Sequence, residues 1–123
     1  MNYIKTDKAP SAVGPYSQAI EVNNTLYLSG QLPINPKDGN MPESIGEQTQ
    51  QSLNNIRAIL EKADYSINNL IHCTIYLTDM EDFSTVNEVY GAFFDEKFPT
   101  RSCFAVKELP KNASVEIEAT AVK

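Results

Sequence analysis

Ile71-His72-Cys73-Thr74-Ile75-Tyr76-Leu77-Thr78 alternates apolar and polar residues without a break. A period of two sets Ile71, Cys73, Ile75 and Leu77 on one side of an extended chain and His72, Thr74, Tyr76 and Thr78 on the other, so the segment reads as a half-buried strand. Sequence of a different period flanks it on both sides. Before it, Leu53, Ile56, Leu60 and Ala63 recur at helical spacing, while Gln48, Gln51, Asn55 and Glu61 fall largely elsewhere. That is an amphipathic helix with one apolar stripe and a wet remainder. Ser44-Ile45-Gly46-Glu47 offers a capping box for its start, and the stripe carries it to about Ala63. After the strand, Phe83, Val86, Tyr90, Phe93 and Phe94 build the aromatic stripe of a second helix, capped by Asp82 or Thr78 and ended before Pro99. A stripe of this kind belongs to a core rather than to a cofactor pocket.

Outward from this helix–strand–helix centre, both ends of the chain are extended. Tyr3 to Thr6 reads as a short strand, followed by a loop with Pro10, Gly14 and Pro15. Ser17 to Val22 and Thr25 to Ser29 form a hairpin around the tight turn Asn23-Asn24, and Gly30 to Pro42 is turn chemistry throughout. Beyond Pro99, strands are expected over Arg101 to Val106 and Ser114 to Val122, with a turn around Glu108 to Ala113. In the last strand Val115, Ile117, Ala119 and Ala121 share one face, leaving Glu116, Glu118 and Thr120 on the other. The order predicts an α+β fold, a mixed or largely antiparallel sheet with two helices packed on one face. The second face is left open, and with Tyr76, Phe104 or the Leu26 and Leu28 pair on one face or the other, the helices leave some apolar surface that an oligomer would bury.

The 123 residues suit a single domain spanning 1–123, with 41% hydrophobic and 21% charged residues, ordinary for a folded soluble chain. Ten basic against 16 acidic side chains give a net charge of -6, which disfavours a nonspecific grip on nucleic acid or on an anionic membrane. No apolar stretch approaches the roughly 20 residues of a membrane span, and the N-terminus lacks the apolar segment of a signal peptide, so the expected address is the cytoplasm. Cys73 and Cys103 form no CxxC pair or disulfide framework and are expected to be reduced thiols. His72 is the only histidine, and no Gly-x-Ser-x-Gly is present, which leaves a hydrolase triad without support. Nor is there zinc-ligand spacing or a glycine-rich phosphate cradle, so neither metal nor nucleotide cofactor is expected.

Arg101 stands at the start of an apolar segment just after Pro99. Its planar fork suits bidentate recognition of a carboxylate. Either it grips a small organic acid or it pairs with one of the chain's own acidic residues. Cys103 shares its strand face if the segment is extended.

Gly14-Pro15-Tyr16-Ser17-Gln18-Ala19, Leu28-Ser29-Gly30-Gln31, Pro99-Thr100-Arg101-Ser102-Cys103 and, through Leu109-Pro110, Val115-Glu116-Ile117-Glu118-Ala119 together resemble the RidA (YjgF) family over nearly the whole chain. The resemblance implies a chorismate-mutase-like fold assembled as a homotrimer, with ligand clefts between subunits. It also implies cofactor-independent deamination of reactive 2-imino and 2-enamino acids to 2-oxo acids and ammonia. Carried over by position, Arg101 holds the substrate carboxylate, and Glu116 and Tyr16 place the water and the imine nitrogen. Ser29 and Gly30 line the pocket, with Asn87 and Cys103 nearby. Glu116 is favoured over Glu118 for the water by its interval from Arg101. Two other functions remain open within the resemblance: a metabolite-binding or regulatory-partner module without turnover, and an endoribonuclease, which the acidic charge and the lack of a histidine pair disfavour.

Overall fold

The computed structural model describes residues Met1–Lys123. Six strands, β1 (Asn2–Ile4), β2 (Ala19–Val22), β3 (Thr25–Gln31), β4 (Leu70–Leu77), β5 (Thr100–Ala105) and β6 (Val115–Val122), form one sheet in the order β1-β2-β3-β6-β4-β5. Every neighbouring pair is antiparallel except β4 and β5, which run parallel. Helix α1 (Ile45–Lys62) lies between β3 and β4, and α2 (Phe83–Ala92) makes the crossover that a parallel pair requires. The architecture is the expected α+β mixed sheet with its helices on one side.

The alternation in β6 is realised in full. Val115, Ile117, Ala119 and Ala121 are buried beneath the helices, joined there by Leu26 and Leu28 of β3 and by Cys73, Ile75 and Leu77 of β4. Leu53, Ile56, Ile59 and Leu60 of α1 close this core, together with Val86, Tyr90, Phe93 and Phe94 from α2 and the turn after it. Asn23 and Asn24 both take left-handed backbone, as a two-residue hairpin between β2 and β3 demands.

The structure departs from the sequence reading in four places. Ile71 is exposed rather than buried, because a bulge between Leu70 and His72 opposite β6 turns Leu70 inward in its place. Gln48 and Asn55, read as part of the wet side of α1, are buried. The Gln48 amide donates to the Pro42 carbonyl and its oxygen accepts from the Ser114 backbone, while Asn55 donates to the carbonyls of Leu32 and Ile34, each at 3.0 Å. Both amides thus satisfy loop backbone that the core leaves without strand partners. At the start of α1 only half of the capping box forms, Ser44 accepting from the Glu47 backbone. Finally, α2 ends at Ala92, so Phe93 and Phe94 pack from the turn beyond it, and a short 3₁₀ turn (Met80–Asp82) capped by Asp79 leads into it.

Candidate active site

The residues expected to form a site divide between two faces of the sheet. On β5, Arg101 sits opposite Cys73 of β4 in parallel register, and its side chain therefore points to the helix-covered side. There its Nη1 donates to Oδ1 of Asn87 on α2 at 2.7 Å. Its guanidinium lies 5.6 Å from the Phe83 ring centroid and 5.1 Å from that of Tyr90. It donates to no carboxylate of its own chain, which decides against the internal ion pair. Cys103, two residues on, is half-buried on the same side. Burial pushes its thiol upward, and the nearby Arg101 offsets this only in part, an environment that disfavours a nucleophilic thiolate.

Glu116 faces the other way. It pairs in register with Tyr76, and both project from the open face. Burial, then the charge of Glu118, raises its carboxyl above the ordinary range. Glu118 is engaged by the Tyr76 hydroxyl, which donates to it at 2.6 Å, and that bond together with burial moves the phenol up to about 12. Tyr76 in turn meets the Phe104 ring edge-on at 5.3 Å.

A second bulge brings Gly30 against Glu116, with Ser29 beside it in the chain. Between Leu28 and Gln31, β3 holds one residue more than β6 opposite it, so Leu28 and Gln31 both point inward and Ser29 and Gly30 bulge between them. The approach is close: a β-carbon on Gly30 would lie 2.8 Å from Cδ of Glu116. The Ser29 hydroxyl donates to the Ser17 carbonyl at 2.6 Å and fastens the loop that carries Tyr16, itself half exposed at 52%. Gln18 holds the start of that loop, its amide donating to the Pro10 carbonyl and its oxygen accepting from the Thr6 backbone.

One chain therefore brings Arg101, Asn87 and Cys103 together on one face, and Glu116, Gly30 and Ser29 on the other with the Tyr16 loop fastened to them. The sequence reading missed Phe83 and Tyr90 as neighbours of Arg101, having assigned them to the core alone. Their signal was the spacing 83, 87, 90, which sets both rings and Asn87 on one helix face. His72 is structural: the Thr100 hydroxyl donates to the Ile71 carbonyl and so accepts from the imidazole Nδ1, and Thr74 contacts Nε2. No group of three or more His, Cys, Asp or Glu side chains could hold a metal ion. No helix is long and apolar enough to cross a membrane. A surface hollow of about 860 Å³, lined by Ile67, Asp95 and Phe98 among others, includes neither Arg101 nor Glu116.

A family model described as Endoribonuclease L-PSP matches residues 6–123. The chain is 45% identical to the 2-iminobutanoate/2-iminopropanoate deaminase of Escherichia coli over 98% of its own length and 96% of that protein's. The crystal structure of Escherichia coli TdcF with bound serine superposes with a TM-score of 0.98 at 43% identity, covering 100% of this chain and 99% of that one. RidA from an Antarctic Psychrobacter superposes with a TM-score of 0.97 at 43% identity over 100% of both chains. With sequence and fold matched across nearly every residue, this chain belongs to the RidA (YjgF) family.

Proposed function

We propose that this protein is a cofactor-independent deaminase. It hydrolyses reactive 2-imino acids and their 2-enamino tautomers, such as 2-iminopropanoate and 2-aminoacrylate, to 2-oxo acids and ammonia. Residues 1–123 act as one RidA-like unit in the cytoplasm, and three copies close into a homotrimer with a cleft at each boundary. The observation that carries this reading is the condition of Arg101, a partly buried cation held by a neutral amide and neutralised by no carboxylate of its own chain. Such a group favours an anionic ligand, and its donors left free by Asn87 suffice for a bidentate carboxylate.

The division of the site between two faces supports the trimer. Arg101 of one copy and Glu116 of the same copy face opposite ways, so a cleft using both needs the covered-side edge of one subunit against the open face of the next. Contact between two unlike surfaces is head-to-tail, and where the rotation between neighbours divides a full turn it closes a ring.

In that cleft Arg101 takes the substrate carboxylate, with Asn87 fixing its orientation and Cys103 beside it. Ser29 and Gly30 line the opposite wall, and Tyr16 reaches in from its loop toward the imine nitrogen. Glu116 is the water-positioning group rather than Glu118, whose carboxylate is engaged by Tyr76. Water adds to the carbon of the protonated imine and gives a proton to the Glu116 carboxylate, which returns it to the amino nitrogen of the carbinolamine. As the C–N bond breaks, nitrogen leaves with the electron pair and the hydroxyl proton follows, so 2-oxo acid and ammonium depart and Glu116 is again ionised. A carboxyl raised toward neutrality suits both transfers, and a placed acid–base group contributes about 10²–10⁴-fold.

A pyridoxal-phosphate dehydratase generating 2-aminoacrylate in the same cuvette tests the proposal. Added protein should accelerate 2-oxo acid release, and Arg101→Ala should abolish the acceleration while the oligomer persists. Release at the uncatalysed rate with intact wild-type trimer would remove the enzymatic reading. It would leave the second one, a metabolite-binding or regulatory module, which a structural neighbour holding serine favours. Ribonuclease activity, the family model's description, is disfavoured by the net charge of -6 and by a lone histidine engaged by two threonines.

A further inference from the structure

We propose that α2 builds a brace for the anion-binding arginine, with Phe83 and Tyr90 as positioning residues that hold the Arg101 fork edge-on to its ligand. The proposal rests on the reading of Arg101 as a carboxylate grip. Phe83, Asn87 and Tyr90 stand at i, i+4 and i+7 of α2 and therefore share one helix face. Both rings present themselves to the guanidinium, at 5.6 and 5.1 Å, while Asn87 takes one donor at 2.7 Å. Two aromatic neighbours and one amide restrict a long side chain that would otherwise sample many rotamers. The rings take no hydrogen bond, so donors stay available for the ligand. Carboxylates of this chain take no part in the arrangement, and none competes with the ligand for the cation.

Tyr90 carries a feature that separates its ring from its hydroxyl. The ring is buried against Phe94 at 4.9 Å, but its oxygen, lying toward Cys73, has no partner of good geometry. A core that needed only a packed side chain there would be served by phenylalanine, or by leucine with some loss of volume. A brace needs the aromatic face and not the hydroxyl. Tyr90→Phe should therefore preserve the grip, whereas Tyr90→Leu should not. Phe83 is only partly buried and makes the safer partner variant, because Phe83→Leu removes the π face with little loss of core.

The test is the preference of the trimer for an anion over its neutral isostere, measured by titration with 2-oxobutanoate and with 2-oxobutanamide. Wild type should favour the carboxylate. Phe83→Leu and Tyr90→Leu should each lower that preference by about 3- to 30-fold, the range of a partly desolvated cation–π contact, with Tyr90→Phe restoring the wild-type ratio. In turnover the same variants should raise KM more than they lower kcat. A merely structural role would weaken both ligands alike and leave the ratio untouched, and that result would overturn the brace. If Tyr90→Leu fails to assemble, Phe83→Leu decides alone. The underlying reading fails separately: wild type without preference for the carboxylate, or Arg101→Ala retaining it, would sink the carboxylate grip itself. Loss in Arg101→Ala with full retention in Phe83→Leu and Tyr90→Leu would sink only the brace.

Discussion

Replacing Gly30 by alanine should leave the fold intact and disable the site. A β-carbon there would stand 2.8 Å from Cδ of Glu116, 3.0 Å from its Oε1 and 3.2 Å from its Cγ. Ordinary carbon contacts begin at about 3.5 Å, so the carboxyl must retreat by roughly 0.7 Å or more. The three nearest atoms all belong to Glu116. The Gly30 backbone is not in the left-handed region, and the obstructing atoms are the end of a flexible side chain. Alanine is also about 0.5–1 kcal/mol better than glycine inside a strand, which offsets the cost of turning Glu116 aside. The thermal midpoint should therefore stay within about 5 °C of wild type, and the elution volume should not change. Catalysis has no such tolerance, since a misplacement of about 1 Å in a positioned group costs on the order of 10²-fold. The assay is kcat/KM for imine hydrolysis with in situ generation of substrate, beside a melting curve on the same preparation. Gly30→Ala with undiminished kcat/KM would refute the placement of Glu116 against the water. A collapsed melting curve would refute the claim that only the side chain yields.

Other outcomes follow from the same geometry. Arg101→Lys keeps the charge, but an ammonium cannot present a planar fork to a carboxylate while bonding Asn87, so kcat/KM should fall at least ~10-fold; activity equal to wild type would contradict bidentate recognition. Because the Glu118 charge contributes to the raised Glu116 carboxyl, Glu118→Gln should move the acid limb of the kcat/KM profile to lower pH. The same shift bears on stability. A folded carboxyl above its ordinary value of 4.5 binds more protons than the unfolded chain, so stability falls as pH rises from about 4.5 through the folded value. Glu116→Gln removes that slope and should gain on wild type in melting temperature at pH 8 relative to pH 4. Asn55→Ala strands the carbonyls of Leu32 and Ile34 in the interior and should cost about 2–3 kcal/mol, read from denaturant unfolding.

Much of this protein was legible in one dimension. The period of β4 and of β6, the apolar stripe of α1, the Asn23-Asn24 turn and the position of Arg101 after Pro99 are local facts, set by which side chains must leave water on the same face of an element. The resemblance in four ordered segments supplied the site residues. Bulges were not legible, because one extra residue in β3 or β4 is defined only against the strand opposite, and these two bulges expose Ile71 and bring Gly30 to Glu116. Buried Gln48 and Asn55 were misread for a related reason: an amide on a helix looks solvated until a loop's carbonyls are known to lie over it.

Periodicity along the chain specified the inward faces of β6, of β4 from Cys73 onward and of the apolar stripe of α1, since it is a property of neighbours in sequence. Only the tertiary structure decided that β6 enters between β3 and β4, that β4 and β5 run parallel, and that Arg101 and Glu116 look out from opposite sides of one sheet. Those are pairings between segments far apart in sequence, fixed by the joint burial of faces that no single segment can specify.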